Sequence, residues 1–255
     1  MTGRPLILSV FPGIDLLGRA FEEVWPEACL VRGPDLLWGG DIRAFHPPAG
    51  VFDGVIGGPP CQAFSRLRHL VENNGHAVAP DLIPEFERVV SEAEPQWFLM
   101  ENVPAAPVPH VAGFAHVYTA LVSDHHVGGE TRRCRRFAFG CRGVGRLEVE
   151  WAALHTIEPE TPVLASGGGM PVGCANGARA KTAREIATRK GASALGLKTE
   201  AYFAEALCLS GLPPDFLAGA PFTVAGKISC VGNGVPMAMG RAIARAVRRA
   251  VEGAR

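Results

Sequence analysis

Leu6-Ile7-Leu8-Ser9-Val10-Phe11-Pro12-Gly13-Ile14-Asp15-Leu16-Leu17-Gly18 is the stretch from which the rest of the chain can be read. Five residues of apolar, strand-like character run into a Pro-Gly turn, and apolar residues at helical spacing follow through Leu16–Val24. A strand, a glycine-bearing turn and a helix in that order begin an α/β layer, and the free N–H groups at the helix start face whatever the turn holds. The spacing lacks the full GxGxxG pattern, so a dinucleotide is disfavoured. The apolar run is too short for a signal peptide and no small-residue cleavage site follows it, so a cytoplasmic protein is expected.

Working outward, the alternation repeats. Cys29–Val31 forms a second apolar run, and Val51–Ile56 a third that ends in Gly57-Gly58-Pro59-Pro60. Pro84–Glu94 reads as a helix with Phe86, Val89, Val90 and Ala93 on one face, and it leads into the strand-like Trp97-Phe98-Leu99-Met100. Strands alternating with helices predict a parallel, doubly wound sheet, in which ligands sit beyond the carboxyl ends of the strands. Phe11–Asp15, Cys61 and Glu101 all fall there, after the first, third and fourth runs.

The segment 150–198 breaks this pattern. It carries Ser166-Gly167-Gly168-Gly169 and Asn176-Gly177, then a helical stretch Ala180–Arg189, and reads as an inserted lobe. Ala238–Val251 is a helix with alanines and valines on one side and Arg241, Arg245, Arg248 and Arg249 on the other. Of the 255 residues, 47% are apolar and 20% charged, enough to bury a sizeable core. No apolar run reaches the roughly 18–20 residues of a membrane helix. The seven cysteines are scattered without a CxxC pair, which argues against a disulfide framework or a zinc site. Net charge is zero, but Arg132, Arg133, Arg135, Arg136, Arg142 and Arg146 crowd one stretch, and Arg179, Lys181, Arg184, Arg189, Lys190 and Lys198 another. Such strips hold a phosphate backbone or make ordinary solvated faces.

Four further stretches carry chemistry. Gly57-Gly58-Pro59-Pro60-Cys61-Gln62 presents a thiol on a stiff turn at a strand end, where cationic groups or a helix N-terminus would deprotonate it into a nucleophile; the alternative is a turn with an incidental cysteine. Glu101 in Glu101-Asn102-Val103-Pro104 is a proton donor at a strand end, or a strand-to-loop cap. Arg133 and Arg135 in Thr131-Arg132-Arg133-Cys134-Arg135 would share one face of an extended segment, facing inward to a base or phosphate or outward to solvent. Gly232-Asn233-Gly234-Val235-Pro236 is a turn before the last helix, and forms part of a site or only caps the helix.

A glycine turn, Pro-Pro-Cys-Gln, Glu-Asn-Val, Arg-x-Arg and Gly-Asn-x-Val-Pro in succession resemble the DNA cytosine-5 methyltransferases, specifically the short forms carried by phages and prophages. The resemblance covers about residues 6–145 and 205–250. It implies a Rossmann-like sheet binding S-adenosylmethionine, with a small target-recognition lobe. On that pattern 1–149 is the catalytic domain, 150–198 the lobe and 199–255 a segment returning to the catalytic domain. Cys61 would attack carbon 6 of a cytosine flipped out of double-stranded DNA, Glu101 would bond the base, and Arg133 with Arg135 would hold the base and the catalytic loop. Phe11, Gly13, Ile14 and Asp15 match the cofactor turn. Asp41 with Ile42 matches the adenine-amine site, and Pro60, Asn233 and Val235 line the same pocket. No metal is implied, and a monomer and a restriction-modification setting are expected.

The chain departs from the family at several points. Asp15-Leu16 stands where a glycine pair is usual, and Thr131 where a glutamine is usual two residues before the first arginine. The ribose-gripping acid after the second strand is not evident, leaving Asp35 for the role. A lobe this small predicts a short or relaxed target site. Two other readings remain: a tRNA-modifying cytosine methyltransferase, whose Cys-Phe-Thr signature is absent from the sequence, and a catalytically silent DNA-binding protein of the same fold.

Overall fold

The computed structural model describes residues 4–60, 64, 80–152 and 200–253. The chain divides into two compact units: 1–122 with 134–150 and 241–255, and 123–133 with 151–240. The predicted lobe and its basic strip, apart from residues 150–152, lie outside the described residues, as does Cys61.

The first unit is built on a sheet of six strands in the order β2-β1-β3-β4-β6-β5. These are β1 (Leu6–Val10), β2 (Cys29–Arg32), β3 (Gly54–Gly57), β4 (Trp97–Asn102), β5 (Val117–Ser123) and β6 (Cys134–Cys141). β1 pairs in parallel with β2 and β3, and β3 with β4. β4 and β6 pair antiparallel, so the sheet is mixed where the sequence predicts an all-parallel one. The apolar alternation reads the same for either direction, and only the partner decides it.

Helix α1 (Leu16–Val24) buries Leu16, Leu17, Ala20 and Phe21, and Phe21 stacks on Trp97 of β4. Helix α2 (Ile83–Ala93) buries Phe86, Val89, Val90 and Ala93, the face the sequence predicts. Both helices were placed from the sequence to within a residue at each end.

The third strand begins at Gly54, not Val51. Val51 is exposed, and the Asp53 carboxylate takes the Leu6 N–H at 2.7 Å, so a side chain bonds the neighbouring strand there. β4 runs two residues past Met100, because β6 supplies a partner for Glu101 opposite Phe137 and for Asn102 opposite Arg136. Glu101 therefore sits within a strand, not after one.

The second unit contains α3 (Glu200–Leu209) and α4 (Val224–Asn233), with Phe203, Ala206, Leu207, Ile228 and Val231 buried. α4 continues through Gly232 and Asn233, which the sequence reading assigned to a turn; the break comes at Gly234, the C-cap. The last helix, α5 (Met237–Glu252), buries Ala242, Ile243, Ala246, Val247 and Ala250 and leaves Arg245 and Arg249 exposed. Among the described residues no helix is long and apolar enough to cross a membrane.

Candidate active site

The turn after β1 is tightly wound. Phe11, Gly13 and Asp15 have φ of 53°, 56° and 54°. Glycine accepts this region freely; in a bulky residue such as phenylalanine it costs roughly 1–3 kcal/mol and persists only where the surroundings impose it. Asp15 helps impose it. It caps α1 by accepting the Gly18 N–H at 3.1 Å, and it also accepts the Ser9 hydroxyl at 2.9 Å and pairs with Arg32 Nε at 2.8 Å. Burial pushes its carboxyl above the ordinary value, against the pull of Ser9, Arg32 and Gly18.

The Gly13 peptide is held from both sides. Its N–H donates to Asp35 Oδ2 at 2.9 Å, and its carbonyl accepts the Trp38 indole N–H at 2.7 Å. Asp35 also caps the one-turn helix Leu36–Trp38 through the Leu37 N–H at 2.8 Å.

Phe11, Asp35, Asp41, Ile42 and Pro60 line one cleft of about 670 Å³, counting its open mouth. Gly13, Ile14 and Asp15 do not line it: Gly13 acts through its peptide, Ile14 is half-buried, and the Asp15 carboxylate is turned into the fold. Leu36 and Arg43 also line the cleft. Arg43 bonds Asp41 through its own N–H at 3.0 Å and its guanidinium at 2.7 Å, and these bonds hold the Asp41 carboxyl below its ordinary value. Two acceptor carboxylates between apolar walls suit a ligand with a flat ring bearing an amine and a sugar bearing hydroxyls.

At the ends of β3 and β4 a second group of residues assembles. Arg135 Nε stands 2.7 Å from Glu101 Oε1, with both side chains largely buried. Glu101 Oε2 lies so close over Gly58 that a Cβ there would stand 3.0 Å from it. Asn102 is buried, and its side chain donates to the Pro59 carbonyl at 3.2 Å while accepting the Val103 N–H at 2.8 Å. The turn leading to Cys61 is thereby tied to β4, and Phe64, just beyond it, packs on the core.

Arg133 and Asn233 belong to the second unit. Arg133 precedes β6, so the alternation expected to carry both arginines on one strand begins only after it. It is 4% exposed, and its Nη2 donates to the Asn233 carbonyl at 3.3 Å. Val235 follows in the same unit and is buried. Further along the basic stretch, Arg136 bonds the Ala106 carbonyl and Arg142 the Pro95 carbonyl. The sequence reading missed Asn102, though it stood in the motif beside Glu101. It also missed Trp38, Arg43 and Asp124, whose partners lie elsewhere in the chain or in a turn with no sequence signature.

The fold is similar to that of a solved methyltransferase. S. pombe Dnmt2 superposes with a TM-score of 0.61 at 13% identity, over 96% of this chain and 99% of that one. Residues 39–109, which hold Asp41, the Pro-Pro-Cys turn and Glu101-Asn102, match the model of the C-5 cytosine-specific DNA methylase family. The Type II methyltransferase M.SacI of Streptomyces achromogenes is 43% identical over 71 residues, 27% of this chain and 17% of that protein. M.HindV of Haemophilus influenzae is 30% identical over 117 residues, 43% of this chain and 34% of that protein. The match thus spans about a third or less of the length of these relatives.

Proposed function

We propose that this chain transfers a methyl group from S-adenosylmethionine to carbon 5 of a cytosine in double-stranded DNA. The observation that carries the reading is the Glu101–Arg135 pair at 2.7 Å, set over the Gly58-Pro59-Pro60 turn within the family-matched segment. A merely structural ion pair has no need of that turn.

The cofactor cleft is assigned to the first unit. Phe11, Leu36, Ile42 and Pro60 supply apolar walls, Asp41 an acceptor for the adenine amine, and Asp35 an acceptor for the ribose hydroxyls. When bound, S-adenosylmethionine supplies an electrophilic methyl group on a sulfonium. Trp38 and Asp35 would hold the Gly13 peptide in place at the turn that follows β1.

Cytosine carbon 5 is a poor nucleophile until a bond at carbon 6 makes the ring enamine-like. The Cys61 thiolate is assigned that bond. Glu101 bonds the base edge as negative charge spreads into the ring, and Arg135 holds the Glu101 carboxylate in place. Carbon 5 then takes the methyl group, loses its proton to a base, and the carbon–sulfur bond breaks to return the thiolate. The base has to leave the stack to be reached, which costs a few kcal/mol that pocket contacts offset.

Trapping on duplex DNA containing 5-fluorocytosine tests this directly. Carbon 5 then carries no removable proton, so a working enzyme stalls as a covalent adduct that Cys61→Ser cannot form. A parallel assay on tRNA separates the DNA from the RNA reading. Transfer to tRNA and none to DNA would reverse the substrate assignment, and an adduct that survives Cys61→Ser would sink the nucleophile.

A further inference from the structure

A densely bonded, buried polar cluster lies in the second unit, around Thr131, the residue that stands where the resembled family usually has glutamine. Asp124 is fully buried. Its Oδ2 accepts the Thr131 hydroxyl at 2.8 Å and the Thr131 N–H at 3.1 Å. The Thr131 hydroxyl oxygen in turn accepts the Arg133 N–H at 3.3 Å, and the Asp124 N–H donates to the Arg133 carbonyl at 2.8 Å. The Arg133 peptide is gripped on its N–H side by Thr131 and on its carbonyl side by Asp124. The loop is shaped around the acid: a Cβ on Gly129 would run into the Asp124 carboxylate, and the Gly129 N–H donates back to the Asp124 carbonyl at 2.9 Å.

We propose that Asp124 and Thr131 are a positioning pair for Arg133, setting where its guanidinium points as it holds the base and the catalytic loop, the role the family resemblance implies for it. The inference rests on that functional reading. Two features separate it from an ordinary turn. First, the Asp124 carboxyl is fully buried with Arg133 nearby: burial pushes it above the ordinary value, and the Thr131 bonds and the Arg133 charge pull the other way, so acid and guanidinium interact as well as share a turn. Second, a one-carbon hydroxyl at 131 reaches both Asp124 and the Arg133 N–H, a bridge that ties the acid to the arginine's backbone as well as to its charge. Arg133 is then held at its backbone by Thr131 and Asp124 and at its tip by the Asn233 carbonyl.

Thr131→Val keeps the shape and removes the hydroxyl, Thr131→Ser keeps the hydroxyl, and Asp124→Asn keeps the acceptor and removes the charge. Each is compared with wild type in single-turnover methyl transfer to cytosine-containing duplex DNA. KM for DNA and exchange of the Arg133 amide hydrogen are measured alongside. The expected result is a rate roughly 10- to 100-fold lower for Thr131→Val, the scale set by a misplaced catalytic group, with KM for DNA little changed, most of the rate recovered in Thr131→Ser, and faster exchange at Arg133. Folded Thr131→Val with wild-type rate and exchange overturns the proposal. If that variant does not fold, Asp124→Asn carries the test, and a wild-type rate there overturns it equally. A wild-type protein that methylates neither DNA nor tRNA defeats the functional reading instead, and the amide-exchange arm still reports whether the pair holds Arg133.

Discussion

Arg135 on β6 and Glu101 on β4 meet with Nε and Oε1 2.7 Å apart, their side chains 15% and 12% exposed. The antiparallel register that sets Glu101 opposite Phe137 and Asn102 opposite Arg136 puts Arg135 two positions along from the residue facing Glu101, a diagonal on one face. Removing one partner of such a pair leaves the other charge poorly solvated, so Arg135→Ala should destabilise the fold by about 2–3 kcal/mol, less than a fully buried pair because some water reaches it. Urea unfolding measures this. Glu101→Gln, similar in shape, should lower methyl transfer roughly 100-fold or more. Normal turnover in a folded Glu101→Gln protein would remove Glu101 from the chemistry.

Trp38 tests the cleft. Its indole N–H holds the Gly13 carbonyl, yet the ring is 58% exposed, so little packing depends on it. Trp38→Phe should leave the unfolding midpoint nearly unchanged. Binding of S-adenosylhomocysteine, read by calorimetry, should weaken by about 3- to 10-fold, the equivalent of one lost hydrogen bond. Unchanged affinity would mean the Gly13 peptide needs no such clamp.

Much of this arrangement is legible in the sequence, and the failures have physical causes. β1, α1 and α2 are set by local patterning, apolar alternation against 3.6-residue spacing, and were readable to within a residue. The ends of β3 and β4 were not, because they depend on what lies alongside: the Asp53 carboxylate replacing a ladder bond, and β6 extending β4 past Met100. The same division runs through the site. Phe11, Asp35, Asp41, Ile42 and Pro60 line one cleft. Asp15 instead lies inside the fold, since a carboxylate replacing glycine at that turn found Ser9, Gly18 and Arg32 as partners. Trp38 was invisible because its partner, Gly13, is 25 residues away.

Asp15 predicts a pH dependence. Burial raises its carboxyl above the ordinary 3.8, so the folded chain binds that proton more tightly than the unfolded one. The resulting stability is complete below the unfolded value and is lost as pH rises through the raised folded value. Asparagine accepts the left-handed backbone and can still cap α1, but has no proton to lose. The stability of wild type relative to Asp15→Asn should therefore fall as pH is raised from about 4 toward neutral. A difference that grows over that range, followed by urea unfolding, would show that Arg32 and Ser9 outweigh burial.

Asn102 offers the sharpest separation between folding and positioning. Its amide donates to the Pro59 carbonyl and its oxygen accepts the Val103 N–H, tying the turn before Cys61 to the end of β4. Asn102→Asp keeps the acceptor for Val103 but cannot, while ionised, donate to Pro59, so the strand end survives and the tie to the turn is cut. It also sets a second carboxylate next to Glu101 along the strand, a cost that Asn102→Ser, small and uncharged, avoids. Both variants should bind S-adenosylhomocysteine within about threefold of wild type, because Asn102 does not line the cleft. Both should form the covalent adduct on 5-fluorocytosine DNA at least about tenfold more slowly, as expected when a nucleophile loses its orientation. Adduct formation at the wild-type rate in both would mean that the Pro59-Pro60 turn is stiff enough by itself, its two proline rings fixing φ without help from the neighbouring strand.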